Sequence, residues 1–401
     1  MKLLLLAILT FPDTLHLSLP RALDMALSNN PSLKSVQQKD RSSNLSYWNS
    51  ILSYGITPTF SYSQTDTMPS NQTFNVSFNL FSVDRIEMVL GSRASALSSR
   101  YNLRKTVQST VLNVEENYLM ALSAWKTYEA RKNQLRRAEE NLKFVETQYR
   151  LGNVSRIDLL SAKVQAGQAK LNLLKAENDY RERVSTLAVS LGLPPETLIV
   201  CEDVDVQIDT VLPPLDSLIA TAVRGRPDLQ SLRASKKFSK MSFWLTAFSF
   251  LPSVSYNVQW DRTNGGDWSK TGPKRFISLQ FDPLSYPFKV ARGAADARSA
   301  ELDYRAAYLQ AVREVQSRYN SYMTAYRSYE LSKEVLEQAR LAYDLAKSKY
   351  QAGEISLLEL FKAESDYADA EAQETSARYQ CYIAKLELDY AIGKMPVISG
   401  E

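Results

Sequence analysis

Few of the residue types that carry out chemistry occur in this 401-residue chain. It has one histidine, His16, and two cysteines, Cys201 and Cys381, at unrelated positions. There is no CxxC pair, histidine cluster, glycine-rich phosphate loop or nucleophile elbow. A zinc or redox centre, nucleotide hydrolysis and acyl transfer therefore lack their residues. No cofactor and no metal are expected, the thiols read as unpaired, and the chain is not expected to be an enzyme. Two small constellations repeat instead. Tyr149-Arg-Leu-Gly152 is followed, six residues past its glycine, by Asp158, and Tyr350-Gln-Ala-Gly353 is followed in the same way by Glu359. A carboxylate beside a chain reversal can accept a charge-assisted hydrogen bond that latches neighbouring segments. It can also sit at the start of a fresh helix, where the N-terminal dipole favours it. The spacing leaves both roles open.

These constellations belong to a larger duplication. Val111, Val114 and Tyr118 return as Val312, Val315 and Tyr319, and Leu191-Gly192 returns as Ile392-Gly393. The front ends also match, Asn30-Pro31-Ser-Leu33 with Arg226-Pro227-Asp-Leu229 and Pro58–Tyr62 with Pro252–Tyr256. A repeat near 200 residues is too long for a solenoid unit, so a whole structural half is duplicated. Lys+Arg 48 against Asp+Glu 44 leaves a net charge of +4, which points to no nucleic acid or other polyanion as partner. Lys2 followed by the apolar run Leu3–Phe11 has the form of a secretory signal. Residues 1–17 are expected to be that leader, without a clean cleavage site and without a nearby cysteine for a lipid. No stretch approaches the ~18–20 apolar residues of a membrane helix.

Proline placement draws the elements. None occurs between Pro69 and Pro194 or between Pro287 and Pro396, and since proline breaks helix interiors each gap admits a very long helix. The first, about Asp84 to Tyr149, would run ~100 Å at ~1.5 Å per residue. Along it Val111, Val114, Tyr118, Ala121, Trp125 and Tyr128 step by threes and fours, then Leu135, Ala138, Leu142, Val145 and Tyr149. The second half repeats the stripe from Val312 through Tyr329 and from Leu336 to Tyr350. Such a heptad-like seam predicts antiparallel supercoiled pairs.

Between an opening helix (about Leu19–Tyr54) and the long one lie segments that alternate with period two. Phe74, Val76, Phe78 and Leu80 share one face, and Asn75, Ser77 and Asn79 the other. Phe60 and Tyr62 share a face in the segment before. In the second half Val254, Tyr256, Val258 and Trp260 alternate with Ser253, Ser255, Asn257 and Gln259, and Ile277, Leu279 and Phe281 with Phe276, Ser278 and Gln280. Alternation is the strand signal, and one apolar face with one polar, uncharged face suits an outer-membrane barrel facing lipid and water. Four strands are too few to close a barrel with a lumen, and an open edge cannot stand in lipid, so several chains must build one together. The polar stretches Asp66–Gln72 and Arg262–Lys274 are expected as its outer turns.

This order of helix, hairpin, very long helix, glycine turn and helix, stated twice, resembles the TolC-like outer-membrane efflux protein family over about residues 18–395. The residues that carry the likeness are Ala22 through Asn30-Pro31, Ala222 through Arg226-Pro227, the two Tyr-x-x-Gly turns with Asp158 and Glu359, and Leu191-Gly192-Leu-Pro194. The resemblance implies a mainly α fold with a small β part. A tandem-duplicated half builds long antiparallel coiled coils into a periplasmic α-barrel, and four strands per chain enter a trimeric twelve-stranded outer-membrane β-barrel. The halves are then 18–192 (hairpin 57–81, helices 84–150 and 155–191) and 216–395 (hairpin 252–283, helices 288–351 and 355–392), with 193–215 as a linker around the middle. It implies a passive exit duct of a tripartite efflux pump or type I secretion system, working as a homotrimer in outer-membrane lipid with a periplasmic adaptor and an inner-membrane pump. The adaptor would dock at the turns of Tyr149, Gly152 and Gly353. Asp158, Tyr350 and Glu359 would form the periplasmic gate, with Asp158 bonded to Tyr350. Ile355 stands where the best-studied members carry an arginine latch, and Lys362 where they carry a second acidic ring. The rival reading is a non-channel coiled-coil structural protein of the cell envelope, which would need no strands.

Overall fold

The computed structural model describes residues 15–54, 59–65, 71–204, 212–251, 253–278 and 283–395. The first half of the chain runs β1 (Leu15–Leu17), α1 (Leu19–Asn29), α2 (Pro31–Tyr54), β2 (Thr59–Thr65), β3 (Asn71–Phe81), α3 (Val83–Arg150) and α4 (Arg156–Ser190). After β4 (Ile199–Cys201) the order returns as α5 (Leu215–Gly225), α6 (Pro227–Ala247), β5 (Ser253–Thr263), β6 (Ser269–Ser278), α7 (Tyr286–Gln351) and α8 (Leu357–Ala391). Two compact units result. One contains residues 1–33, 107–222 and 312–401, the other residues 34–106 and 223–311.

The opening helix expected over Leu19–Tyr54 is two helices. Asn30 takes an extended conformation (φ −60°, ψ 117°) because a residue before proline is pushed out of the helical region. Its Oδ1 then accepts from the amides of Ser32 (2.9 Å) and Leu33 (3.2 Å), capping α2, whose first residue Pro31 needs no amide partner. Arg226-Pro227 breaks α5 from α6 in the same way, with φ −63° and ψ 124° at Arg226.

The strand-bearing unit is a four-stranded antiparallel sheet in the order β2-β3-β5-β6. Its register follows the alternation in the sequence. Phe74 pairs with Trp260 and Phe78 with Tyr256, their rings 5.5 and 6.1 Å apart, while Asn75 pairs with Gln259 and Ser77 with Asn257. The outer turn is shorter than expected. Instead of spanning Arg262–Lys274 it occupies residues 264–268, where Asn264 and Gly265 take positive φ (52° and 75°). β6 therefore begins at the polar Ser269 and tolerates Pro273, which sits beside a register shift on an edge strand, where a missing amide is least costly. Residues 279–282, with the expected strand positions Leu279 and Phe281, and 66–70 of the other turn lie outside the described residues.

The helices of this unit keep the order of the strands. Ser50 and Ser92 share a hydroxyl hydrogen bond between α2 and α3, and Arg85 donates to the Ser53 carbonyl (2.7 Å). Ser98 bonds Ser231 (2.8 Å) and Ser242 bonds Glu87 between α3 and α6. Lys236 pairs with Glu301 (3.0 Å) between α6 and α7. The layer is thus α2-α3-α6-α7.

In the other unit β1 and β4 pair in parallel, Leu15 to Ile199 through Leu17 to Cys201. The leader drawn to residue 17 therefore overlaps a folded strand at 15–17, and residues 1–14 lie outside the described residues. The linker expected over 193–215 holds β4. The Tyr118 hydroxyl reaches the carbonyls of Leu17 (2.8 Å) and Glu202 (2.7 Å), tying both strands to α3. Val114, Tyr118, Ala121 and Leu122 of α3 pack against Val184, Leu187 and Leu191, with Tyr379, Tyr382 and Leu386 of α8. Val145, nearer the end of α3, packs with Ala162 near the start of α4, so the pair is antiparallel. The same relation holds for α7 and α8, where Val315 and Tyr322 meet Leu388 and Ala384. Both cysteines are free, and burial pushes the Cys201 thiol up to about 12 and the Cys381 thiol up to about 11.

Candidate functional site: the two helix reversals

Where α3 gives way to α4, the amide of Gly152 donates to the Tyr149 carbonyl (3.0 Å) and that of Asn153 to the Gln148 carbonyl (2.9 Å). Where α7 gives way to α8, Gly353 donates to Tyr350 (3.0 Å) and Glu354 to Lys349 (2.9 Å). Both are Schellman closures, which need a left-handed residue past the helix end. Gly152 and Gly353 supply it at φ 79° and 75°. Gly192 and Gly393 close α4 and α8 in the same way, so the duplication extends to the hydrogen-bond pattern of these four helix ends.

Asp158 caps α4. Its Oδ2 accepts from the Ser155 amide (3.0 Å) and hydroxyl (2.7 Å), while its own amide donates to Ser155 Oγ (3.1 Å). This reciprocal capping box occupies Oδ2 of Asp158. Among the described residues no hydrogen bond joins Asp158 to Tyr350. The two remain neighbours, since burial and then the Asp158 charge hold the Tyr350 hydroxyl above its ordinary value. Tyr350 packs instead into an apolar cluster of Val145, Ala162, Leu357, Leu360 and Phe361, edge-on to Phe144 at 6.5 Å. Glu359 starts α8 with a weaker cap, its amide donating to Ser356 Oγ (3.3 Å) with no return bond. Tyr149 is exposed, unlike its repeat Tyr350. Of the three expected gate residues, two are brought together around one cluster and Glu359 is placed at the next helix start.

One group of residues at this end was not legible from the duplication. Glu364 of α8 is buried, at 1% exposure. Its Oε2 accepts from Asn141 Nδ2 (3.0 Å), and its Oε1 lies 3.5 Å from Arg137 Nε. The guanidinium of Arg137 stands over Tyr367 (5.5 Å), which stacks on Tyr343 (5.6 Å). Burial raises the Glu364 carboxyl, and Arg137 and Asn141 pull it partly back. A buried ion pair adds little net stability when intact, but removing one partner costs ~3–5 kcal/mol. The signal was a carboxylate in a seam register, following Leu360 by four and preceding Ala368 by four.

The sheet offers one further surface. Asn75, Ser77, Asn257 and Gln259 lie on one face, where Gln259 and Thr73 both donate to Asp261 Oδ1 (2.7 and 3.1 Å). Phe74, Val76, Phe78, Tyr256 and Trp260 form the other. Among the described residues no group of three His, Cys, Asp or Glu could hold a metal, and no helix is long and apolar enough to cross a membrane.

Comparison with known proteins fits this geometry. The chain is 26% identical over 309 residues to the pyoverdine export outer membrane protein OpmQ of Pseudomonas aeruginosa, and 24% identical over 301 residues to the protein of that name from Pseudomonas putida. Each match takes in 72% of this chain and 63% of the relative, so the chain spans less than two thirds of those relatives' length. The MtrE outer membrane channel of Neisseria gonorrhoeae, in its open state, superposes with a TM-score of 0.79 over 96% of this chain and 90% of that one, at 16% identity. That likeness establishes a TolC-like fold. The family model for outer membrane efflux proteins matches residues 22–193 and 218–394, one stretch for each half. The chain belongs to the outer membrane efflux protein family.

Proposed function

We propose that this chain is the passive exit duct of a tripartite efflux pump or type I secretion system, assembled as a homotrimer. The observation that carries the proposal is the four-stranded sheet with two open edges, β2 and β6. Open edges are not tolerated in lipid, and β2 of one copy meeting β6 of the next removes both. The number three comes from the family likeness. A second observation supports assembly. On α4, Ile157, Leu160, Val164, Leu171 and Leu174 step by threes, fours and sevens, yet are 49–75% exposed, which is a coiled-coil seam with no partner among the described residues. The polar face of the sheet would line the lumen and the aromatic face would meet lipid.

The turns at Tyr149, Gly152 and Gly353 are proposed to receive a periplasmic adaptor, and an inner-membrane pump to supply the energy. Asp158, Tyr350 and Glu359 are proposed to hold the periplasmic end closed. The names of the Pseudomonas relatives state export of pyoverdine, and a related cargo is proposed for this chain. The sheet counts against a non-channel coiled-coil protein. The test is mass measurement in detergent together with conductance in a planar bilayer. A trimer whose conductance rises in the double variant Asp158→Ala with Tyr350→Phe is expected. A stable monomer, or a trimer that passes no ions in any variant, would overturn the reading.

A further inference from the structure

Two exposed stripes of the strand-bearing unit have no part in the duct as described so far. On α2, Leu45, Trp48 and Leu52 are 62%, 60% and 66% exposed; Met241 and Trp244 of α6 and Phe248, which caps its C-terminal end, are 46%, 60% and 49% exposed. They are the same positions of the duplication, at the offset that relates Pro31 to Pro227. One turn before each stripe lies an exposed cation, Arg41 on α2 and Lys237 on α6, and among the described residues neither has an ion-pair partner. Four consecutive positions of one helix face thus carry a cation, an aliphatic residue, a tryptophan and a large apolar residue, twice.

α6 decides where the stripe points. It is flanked by α3 through Ser98–Ser231 and Glu87–Ser242, and by α7 through Lys236–Glu301 and the contact of Gly293 with Phe243. Both of its sides within the helical layer are occupied, so the stripe lies on one of the layer's two surfaces and is not a seam for a neighbouring copy. α2 is the edge helix of the layer, with α3 on the side of Ser50 and Ser53, and the duplication relates its stripe to that of α6. A water-filled interior would leave two tryptophans per chain wetted. Tryptophan with apolar neighbours and a cation one turn away is instead the pattern of a membrane–water boundary. The position agrees, because Phe248 precedes β5 by five residues and Leu52 precedes β2 by seven.

We infer that α2 and α6 carry the membrane contact beyond the strands. The two stripes enter the periplasmic leaflet of the outer membrane, and Arg41 and Lys237 bind its phospholipid headgroup phosphates. The inference rests on the proposed duct, and the test separates the two. Full-length protein is assembled in phosphatidylethanolamine vesicles with and without phosphatidylglycerol, and trimer mass and conductance are verified first. Failure there is failure of the duct itself. Tryptophan emission of the wild type minus that of W48F/W244F then isolates the two side chains. This difference emission should be quenched by lipid brominated close to its headgroup and spared by aqueous iodide. R41Q/K237Q should abolish any stronger quenching in phosphatidylglycerol vesicles. Should the double tryptophan variant fail to assemble, W48F and W244F each read one half of the difference. Quenching by iodide alone would place the stripes in the lumen, and quenching by neither agent would place them under protein; either result overturns the inference.

Discussion

Replacing Asp158 by alanine separates the two roles of this carboxylate. The substitution removes two hydrogen bonds accepted by Oδ2 from Ser155, at 3.0 and 2.7 Å, and the negative charge at the start of α4. All three contacts are solvent-exposed. The capping bonds together contribute ~1–2 kcal/mol and the charge about 0.3–1 kcal/mol more. That raises the opening of the first turn of α4 roughly ten- to 150-fold. Asp158→Asn keeps an oxygen for the Ser155 amide and loses mainly the charge, so its effect is limited to the smaller figure. Tyr350→Phe keeps the ring in the apolar cluster against Phe144 and removes a hydroxyl that is not bonded to Asp158. It should change stability by less than ~0.5 kcal/mol. Single-channel conductance of assembled trimers should therefore rise in the order Tyr350→Phe, Asp158→Asn, Asp158→Ala, with faster amide exchange at residues 156–159 in the last. If Tyr350→Phe alone matched Asp158→Ala, closure would depend on a phenol–carboxylate bond formed only in the assembled duct, and capping would be irrelevant to it.

Other perturbations have defined signs. Gly152→Ala places an L-residue at φ 79° with nothing near its Cβ, costing ~1–2 kcal/mol. Gly192→Ala has the same penalty and also sets a Cβ 3.2 Å from the Asn29 carbonyl oxygen, so its denaturation midpoint should fall further; equal midpoints would refute the steric contribution. Burial, the nearby Glu387 and, in opposition, Arg318 raise the Glu116 carboxyl from 4.5 to about 7. The native state thus holds an extra proton between those values, and stability should decline as pH rises through that window. Glu116→Gln should flatten the decline and stabilise the protein at pH 8 by on the order of 1–2 kcal/mol after solvent screening; a slope unaltered by the substitution would assign the titration elsewhere. Phe78→Lys on the aromatic face should impair membrane assembly by ~2–4 kcal/mol, while Ser77→Lys on the polar face should be tolerated. Equal tolerance in an assembly assay would reverse the assigned faces.

Most of the architecture was legible because it is local or repeated. Proline-free stretches placed α3 and α7 to within a few residues, and strict alternation showed which residues of β3 and of β5 share a face. What escaped was decided by neighbours. The polar run Ser269–Lys274 reads as a turn in isolation. It becomes strand because the long partner β5 offers it a ladder as far as Asp261, which pairs with Ser269, and a register shift absorbs Pro273. Asp158 is legible as an acid beside a reversal. Its choice of Ser155 over Tyr350 depends on a backbone reversal that brings an amide and a hydroxyl to the same oxygen. Glu364 escaped for a further reason. An ionisable residue in a seam reads as a surface position until Arg137 and Asn141 are found on α3 to receive it.

The duplication also hides a division of labour. α4 and α8 are sequence equivalents, each 35 residues long and each started by a serine cap. α8 buries most of its apolar face, including Leu357, Phe361, Tyr379, Tyr382 and Leu388, whereas α4 buries Ala162, Ala169 and a few residues near its end. α8 lies between α7 and α3, as Arg137 with Glu364 and Arg318 with Glu387 mark. α4 contacts α3 and leaves its heptad-spaced residues uncovered. The two copies also differ in sequence there, since Val164, Leu171 and Leu174 of α4 stand where α8 has Ser365, Ala372 and Thr375. Hydrophobic burial is roughly proportional to area removed from water, so an uncovered seam is a driving force without an outlet inside the chain. The open edges of β2 and β6 are the same shortage expressed in backbone hydrogen bonds. One half of the chain satisfies its partner internally, and the other half leaves a complementary surface that association between copies can satisfy.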